Sequence, residues 1–272
     1  MRFKFYKAML KILFAALCTF LMVPGVQAKE KYKGTFIYIP LDDRPVTYSY
    51  PVKNLQAAGY EILTPPEKYL ASADRTGDPD KLWQWLVENA PDADAAVISS
   101  DALIYGGLVA SRTHFFDETT LQARVQRLEM LRERLPMPLY VYSTLMRTPR
   151  ASFGNVEPPY YSKIGPAIFR YAELIDKEDM YGLTLRESLT KQALKNNLPQ
   201  ADLNDWLQRR LKNYHVNKSL TELTAKYRFH YLAIGKDDNA PLSATHMEAR
   251  YIKRDAFGLS DQIFQIIPGV DQ

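Results

Sequence analysis

The sequence is almost without cysteine: Cys18 is the one such residue in 272. It lies in the leader described below, so the domain that follows carries no thiol for disulfides, thiolate catalysis or a cysteine-ligated metal. Long apolar runs are lacking too. The run Ile12–Val23 stops short of the about 20 residues that span a bilayer. An excess of one charge is missing once the leader is removed. The formal charge is +4, but Arg2, Lys4, Lys7 and Lys11 belong to the leader, and without them Lys+Arg equals Asp+Glu at 31. A chain so balanced lacks the basic excess that nucleic-acid binding calls for. Histidine is sparse. His114, His215, His230 and His246 form no H-E-x-x-H or other zinc spacing. No G-x-S-x-G, G-x-x-x-x-G-K-[ST] or G-x-G-x-x-G occurs, which removes the serine-hydrolase elbow, the P-loop and the dinucleotide fingerprint.

What is present begins with an export signal. A basic start, the short apolar run and Pro24-Gly25 lead to Val26-Gln27-Ala28, with small residues at −3 and −1 of a cut after Ala28. Residues 1–28 are therefore expected to be a cleaved signal peptide, with an uncleaved anchor as the alternative. Cys18 has apolar residues after it, which disfavours a lipoprotein signal. The expected destination is the cell envelope or the medium, with no stable membrane span after cleavage. About 244 residues remain, enough for a sizeable core.

Apolar runs of strand length then alternate with amphipathic stretches. Strands are expected at Thr35–Leu41, Tyr60–Leu63, Ala95–Ser100, Leu139–Thr144, Phe229–Ile234 and Ile263–Ile267. Tyr48–Ala58, stopped by Gly59, is an expected helix. Asp78-Pro79 is an N-cap with proline at the first helical position, opening a helix through Asn89. A third helix runs from Asp117 to Leu135. This is an α/β pattern of parallel βα repeats, fitting either a partial (β/α)8 barrel or a doubly wound sheet. Residues 29–157 hold the first βα units and 229–272 further ones. Between them, 158–228 is a helical insert, with helices expected at Tyr160–Leu174, Thr184–Asn196, Asp202–Tyr214 and Ser219–Tyr227. It reads as a subdomain or lid over the strand ends, or as a plain crossover with extra helices. Its aromatics are expected in the core.

Ligands of parallel α/β folds bind beyond the carboxyl ends of the strands. Asp42-Asp43-Arg44 follows strand one; Asp101, Tyr105, Gly106-Gly107 and Arg112 follow strand three; Arg147 and Arg150 follow strand four; Asp237-Asp238-Asn239 follows strand five; Asp271 follows strand six. Clustered carboxylates either hold a divalent cation through oxygen or split their pKa values into an acid and a base, the logic of glycoside hydrolysis. Asp42, Asp43, Asp101, Asp237 and Asp238 are the catalytic candidates. Arg44, Tyr105, Arg112, Arg147 and Asn239 are the substrate-binding ones. Each acid has a structural alternative as helix cap or ion-pair partner, and one of each Asp-Asp pair is expected to be structural. Gly106-Gly107 is too short for a phosphate loop. Leu41-Asp42-Asp43 resembles the first motif of polysaccharide deacetylases, but the paired histidines that family needs are missing.

The blocks Ile39-Pro40-Leu41-Asp42-Asp43-Arg44-Pro45, Pro65-Pro66, Ser100–Arg112, Asp237-Asp238-Asn239-Ala240-Pro241 and Pro268-Gly269-Val270-Asp271 come in an order that resembles domain-of-unknown-function family 4127, an uncharacterised bacterial group. The resemblance covers nearly all the chain after the leader. It implies a protein about twice this length, of which this is the N-terminal half, and it implies no activity. The chain departs from that pattern at Gln272, where an acid is expected. As a half, residues 29–272 alone are expected to aggregate or to be inactive. The residues themselves point to an exported hydrolase using no cofactor, acting on a small-molecule or glycan substrate. A solute-binding protein and a divalent-metal-dependent hydrolase are the alternatives.

Overall fold

The computed structural model describes residues 32–134, 137–148 and 156–270. The leader with Cys18, and Arg150, Asp271 and Gln272, lie outside the described residues. All six expected strands form: β1 (Thr35–Ile39), β2 (Glu61–Leu63), β3 (Ala95–Ser99), β4 (Leu139–Leu145), β5 (Tyr231–Lys236) and β6 (Phe264–Pro268). They pair in parallel throughout, in the order β2-β1-β3-β4-β5-β6. That is the doubly wound order, because β1 stands where a sequential barrel would place β2. Strand addition reverses after β2, and the switch point falls between β1 and β3.

Nine helices are described: α1 (Ser49–Ala57), α2 (Pro79–Asn89), α3 (Ser100–Ile104), α4 (Leu108–Thr113), α5 (Glu118–Arg134), α6 (Tyr161–Tyr181), α7 (Leu185–Asn197), α8 (Gln200–Ala225) and α9 (Ala244–Asp255). Local chemistry sets their ends. Gly59 follows α1 at φ 91°. The Asp78 side chain accepts from Lys81 N with Pro79 at the first helical position. Thr184 and Glu187 form a reciprocal capping box on α7.

Two expectations need correcting. The insert helices at 202–214 and 219–227 are one helix, α8. No glycine or proline interrupts it, and its two halves serve different cores. Leu203 and Trp206 pack with Tyr161, Ile168 and Tyr171 in a small helical core, whereas Val216, Leu220 and Leu223 join the sheet core. Second, α3, α4 and α9 stand in stretches for which the sequence suggested no element. Ser99 and Ser243 cap α3 and α9 by accepting from Ala102 N and His246 N.

Right-handed crossovers decide which face each helix covers. The β1-to-β2 connection runs one way, placing α1 on one face. Every later connection runs the other way and places its helices on the opposite face. On that second face the sheet is aliphatic and sealed: Ile37, Ile39, Ala96, Ile98, Leu139, Val141, Leu232 and Ile234 are all buried. The first face carries Tyr38, Val97, Tyr140, Tyr142 and Tyr231, half-buried, with Tyr140 40 % exposed.

Gly235 sits where this tyrosine face meets the strand ends. A Cβ there would fall on the Tyr142 hydroxyl and 2.5 Å from the Gly269 carbonyl oxygen. Gly235→Ala is therefore expected to cost about 1–3 kcal/mol, the usual penalty of overpacking. Thermal melts check this, and an unchanged melting temperature would mean that Tyr142 swings aside freely.

Candidate functional site

Beyond the carboxyl ends of β1, β3 and β5, over the switch point, lies a cleft of about 730 Å³. Open α/β sheets bind ligands at this place. Asp42, Asp43 and Arg44 after β1, Arg112 on α4, Arg147 after β4 and Asp237 after β5 all line it. So do Ser72, Asp74 and Arg75, from the loop after β2, which the sequence reading left out. That loop is clamped in place. Asp43 N donates to Ala71 O at 2.9 Å, and Gly77 N donates to Gly106 O at 2.9 Å. The Gly106-Gly107 pair makes the clamp possible. Both residues have positive φ (95° and 118°), and a Cβ on Gly107 would lie 2.5 Å from that of Ala71. The pair is a packing device for the cleft wall.

The acids of the cleft differ in their partners. Asp42 is fully engaged: Arg44 Nε donates to its two oxygens at 3.0 and 2.9 Å, and Thr47 Oγ1 donates to Oδ1 at 2.5 Å. It holds the turn after β1. Asp43, its neighbour, makes no side-chain hydrogen bond or ion pair with the described residues. Asp237 accepts on Oδ2 from Arg112 Nε at 2.9 Å and Nη2 at 2.6 Å. Behind them Glu157, buried and absent from the sequence candidates, takes an ion pair from Arg147 and lies 3.9 Å from Arg112 Nη1. Burial raises the pKa of Glu157, and Arg147 and Arg112 pull against that rise. No motif announces Glu157, and only its position after β4, in the stretch leading to the insert, could have suggested it.

Asp101 and Tyr105 do not line the cleft; they lie buried beneath it. Asp101 is 1 % exposed, accepts from Thr144 Oγ1 at 2.9 Å through Oδ1, and has no partner on Oδ2. Burial drives its pKa up to about 7. The Asp237 charge adds to the rise, and the Thr144 hydrogen bond opposes it. Tyr105 stacks on His114 with ring centroids 4.9 Å apart. Its hydroxyl is also buried without a partner, and its pKa is pushed far up by burial and then by the Asp101 charge. His114 Nε2 donates to Asn213 Oδ1, 2.8 Å away, and burial lowers its pKa to about 4. Asp238 and Asn239 do not line the cleft either. Asp238 Oδ1 accepts from Ala240 N at 2.7 Å in a turn, and Asn239 is exposed. Among the described residues, no group of three or more His, Cys, Asp or Glu side chains is placed to share an ion.

The arrangement brings the unpaired carboxylate of Asp43, the arginine-paired carboxylates of Asp42, Asp237 and Glu157, and the buried carboxyl of Asp101 to one end of the sheet. Arginines on three sides provide N–H donors for a polar ligand. No helix among the described residues is long and apolar enough to cross a membrane. No curated protein matches the chain significantly. The family model described as "Protein of unknown function (DUF4127)" matches residues 36–272.

Proposed function

We propose, for a chain that belongs to the family of proteins of unknown function DUF4127, an exported hydrolase that acts on carbohydrate or a cell-envelope glycan at the switch-point cleft. The observation that carries this reading is the Asp101–Asp237 pair. The Asp101 carboxyl, raised to a pKa of about 7 mainly by burial, also feels the charge of Asp237, which lines the cleft, and perturbed acids cluster at functional sites. Asp101 holds its proton into the neutral range beneath Asp237, the arginine-paired carboxylate that lines the cleft. Asp43, unpaired, is the base that activates water or attacks the sugar carbon. Arg44, Arg112 and Arg147 hold the substrate, and Arg112 also keeps Asp237 in place. Asp101 and Tyr105 act from beneath, as positioning groups.

A panel of chromogenic glycosides and envelope glycan fragments, assayed with the purified protein, tests this reading. Asp43→Asn is expected to lower turnover by about 10²–10⁴-fold, the worth of a general base, while leaving the melting temperature unchanged. Turnover equal to that of the wild type would refute the assignment. A second reading, a solute-binding protein without chemistry, draws support from the ion-pairing of Asp42 and Asp237 with arginine. It predicts that ligand binding survives and that no member of the panel is cleaved. Export belongs to the same proposal and has its own check. N-terminal sequencing of protein recovered outside the cytoplasm is expected to read Lys29-Glu30-Lys31, and a chain that still begins at Met1 there would mean an anchor.

A further inference from the structure

The two faces of this sheet are built from different residues, and the difference has a use. The helix-covered face is aliphatic. On the other face, strand pairing lines up Tyr38, Val97, Tyr140 and Tyr231 in one row across β1, β3, β4 and β5. Neighbouring strands lie about 4.8 Å apart, so the row extends roughly 14 Å. Tyr142 stands one pleat nearer the strand ends. Tyrosines 38, 140, 142 and 231 border a groove of about 220 Å³ with no charged side chain in its lining. Some of the rings are held in place: the Tyr38 hydroxyl donates to the Thr47 carbonyl, and that of Tyr231 to Gln265 Oε1 at 2.9 Å.

A parallel sheet face destined for a dry core would be rich in valine, isoleucine and leucine, as its opposite face is. Tyrosine is instead the residue of surfaces that are apolar on one side and wet on the other. The groove is also continuous with the cleft. Leu41 borders the groove and Asp42 the cleft, and Val270 lines both. Tyr142 packs with Leu41, Leu108 and Val270 at that junction.

We infer that the tyrosine face is an extended subsite for uncharged pyranose units of a saccharide chain whose reacting end enters the Asp–Arg cleft. This rests on the glycan reading of the cleft. A pyranose offers a face of C–H groups to the electron-rich face of an aromatic ring, and its hydroxyls reach the tyrosine hydroxyls and water. The absence of charge on the platform selects neutral units there, while the arginines select polar or anionic groups in the cleft. Affinity therefore grows with chain length.

The test measures binding of cellohexaose, chitohexaose and maltohexaose, and of the matching disaccharides, to the full chain by calorimetry. At least one hexamer is expected to bind tenfold or more tighter than its disaccharide. Tyr140→Ala/Tyr231→Ala is expected to remove that gain while leaving the disaccharide affinity intact, and Tyr140→Trp to retain it. Equal affinity at both lengths, or a hexamer affinity untouched by the double variant, overturns the subsite. So does a wild-type dimer that the double variant turns into a monomer, since a second copy then occupies the face. The two ideas fail separately. Cleavage of short substrates without any gain from length leaves the catalytic reading standing and removes the platform. Length-dependent binding with unaltered cleavage by Asp43→Asn does the reverse.

Discussion

Asp101→Asn is expected to become more stable relative to the wild type as pH rises, by about 4 kcal/mol between pH 4 and pH 8. The sign follows from linkage. The carboxyl titrates near 3.8 when the chain is unfolded and near 7 when it is folded. Below about pH 4 both states bind the proton, and its contribution to stability is complete. From there to about pH 7 the unfolded chain gives up the proton while the folded chain keeps it, so stability falls. About three pKa units at 1.36 kcal/mol each give the total. Asparagine does not titrate and retains an acceptor for Thr144. At about 2–4 °C per kcal/mol for a domain of this size, the melting temperatures should diverge by roughly 8–16 °C. His114 works in the opposite direction. Its pKa falls from 6.5 to about 4 on folding, so its contribution is present above about pH 6.5 and is lost as pH falls through about 4. The wild type is thus expected to show a shallow pH profile in which two slopes offset each other. The Asp101→Asn variant should expose the histidine slope, with stability rising from pH 4 to 6.5. Parallel melting curves for the two proteins across this range would show that Asp101 is ordinary.

The largest loss of stability is expected from Arg112→Met. Arg112 is 6 % exposed and neutralises two acids that are themselves buried, Asp237 at 2.6 Å and Glu157 at 3.9 Å. Methionine fills much of the same volume and leaves both charges without their shared partner. Removing one member of such a group costs about 3–5 kcal/mol, roughly 6–20 °C in melting temperature at this size. Adding Asp237→Asn to the variant should restore a good part of that loss, because the stranded charge leaves with it. A melting temperature within a degree of the wild type, or no recovery in the double variant, would mean that water reaches these acids.

The sheet was legible because its signal is local. Each strand is a short apolar run between breakers, and Gly59 and Asp78-Pro79 announce helix ends within a few residues. The strand order was less so. A barrel and a doubly wound sheet present the same succession of βα units, and only the pairing of β1 with both β2 and β3 separates them. In the cleft, the rule that ligands meet strand ends led to Asp42, Asp43, Arg44, Arg112, Arg147 and Asp237, all of which line it. The same rule could not tell a lining residue from a buried one. Asp101 and Tyr105 follow β3 as closely as Arg112 does, but α3 turns them beneath the floor. Arg75 and Asp74 were passed over because the loop after β2 shows no Asp-Asp or Gly-Gly mark. Glu157 escaped notice because its role depends on Arg112 and Arg147, which both lie well before it in the chain.

The insert between β4 and β5 also sets a timetable. Residues Tyr140 and Tyr231 are direct neighbours in the sheet although roughly 90 positions part them along the chain, and such distant pairings form slowly. The strands before the insert can find one another across shorter spans. The seam between β4 and β5 must wait until α6, α7 and α8 have been built and folded back. Arg112 and Asp237 clasp across the same seam, 125 residues apart. The cleft therefore does not exist in the early stages of folding: it is made when the seam closes, and a chain caught before that moment would have most of its helices and none of its site.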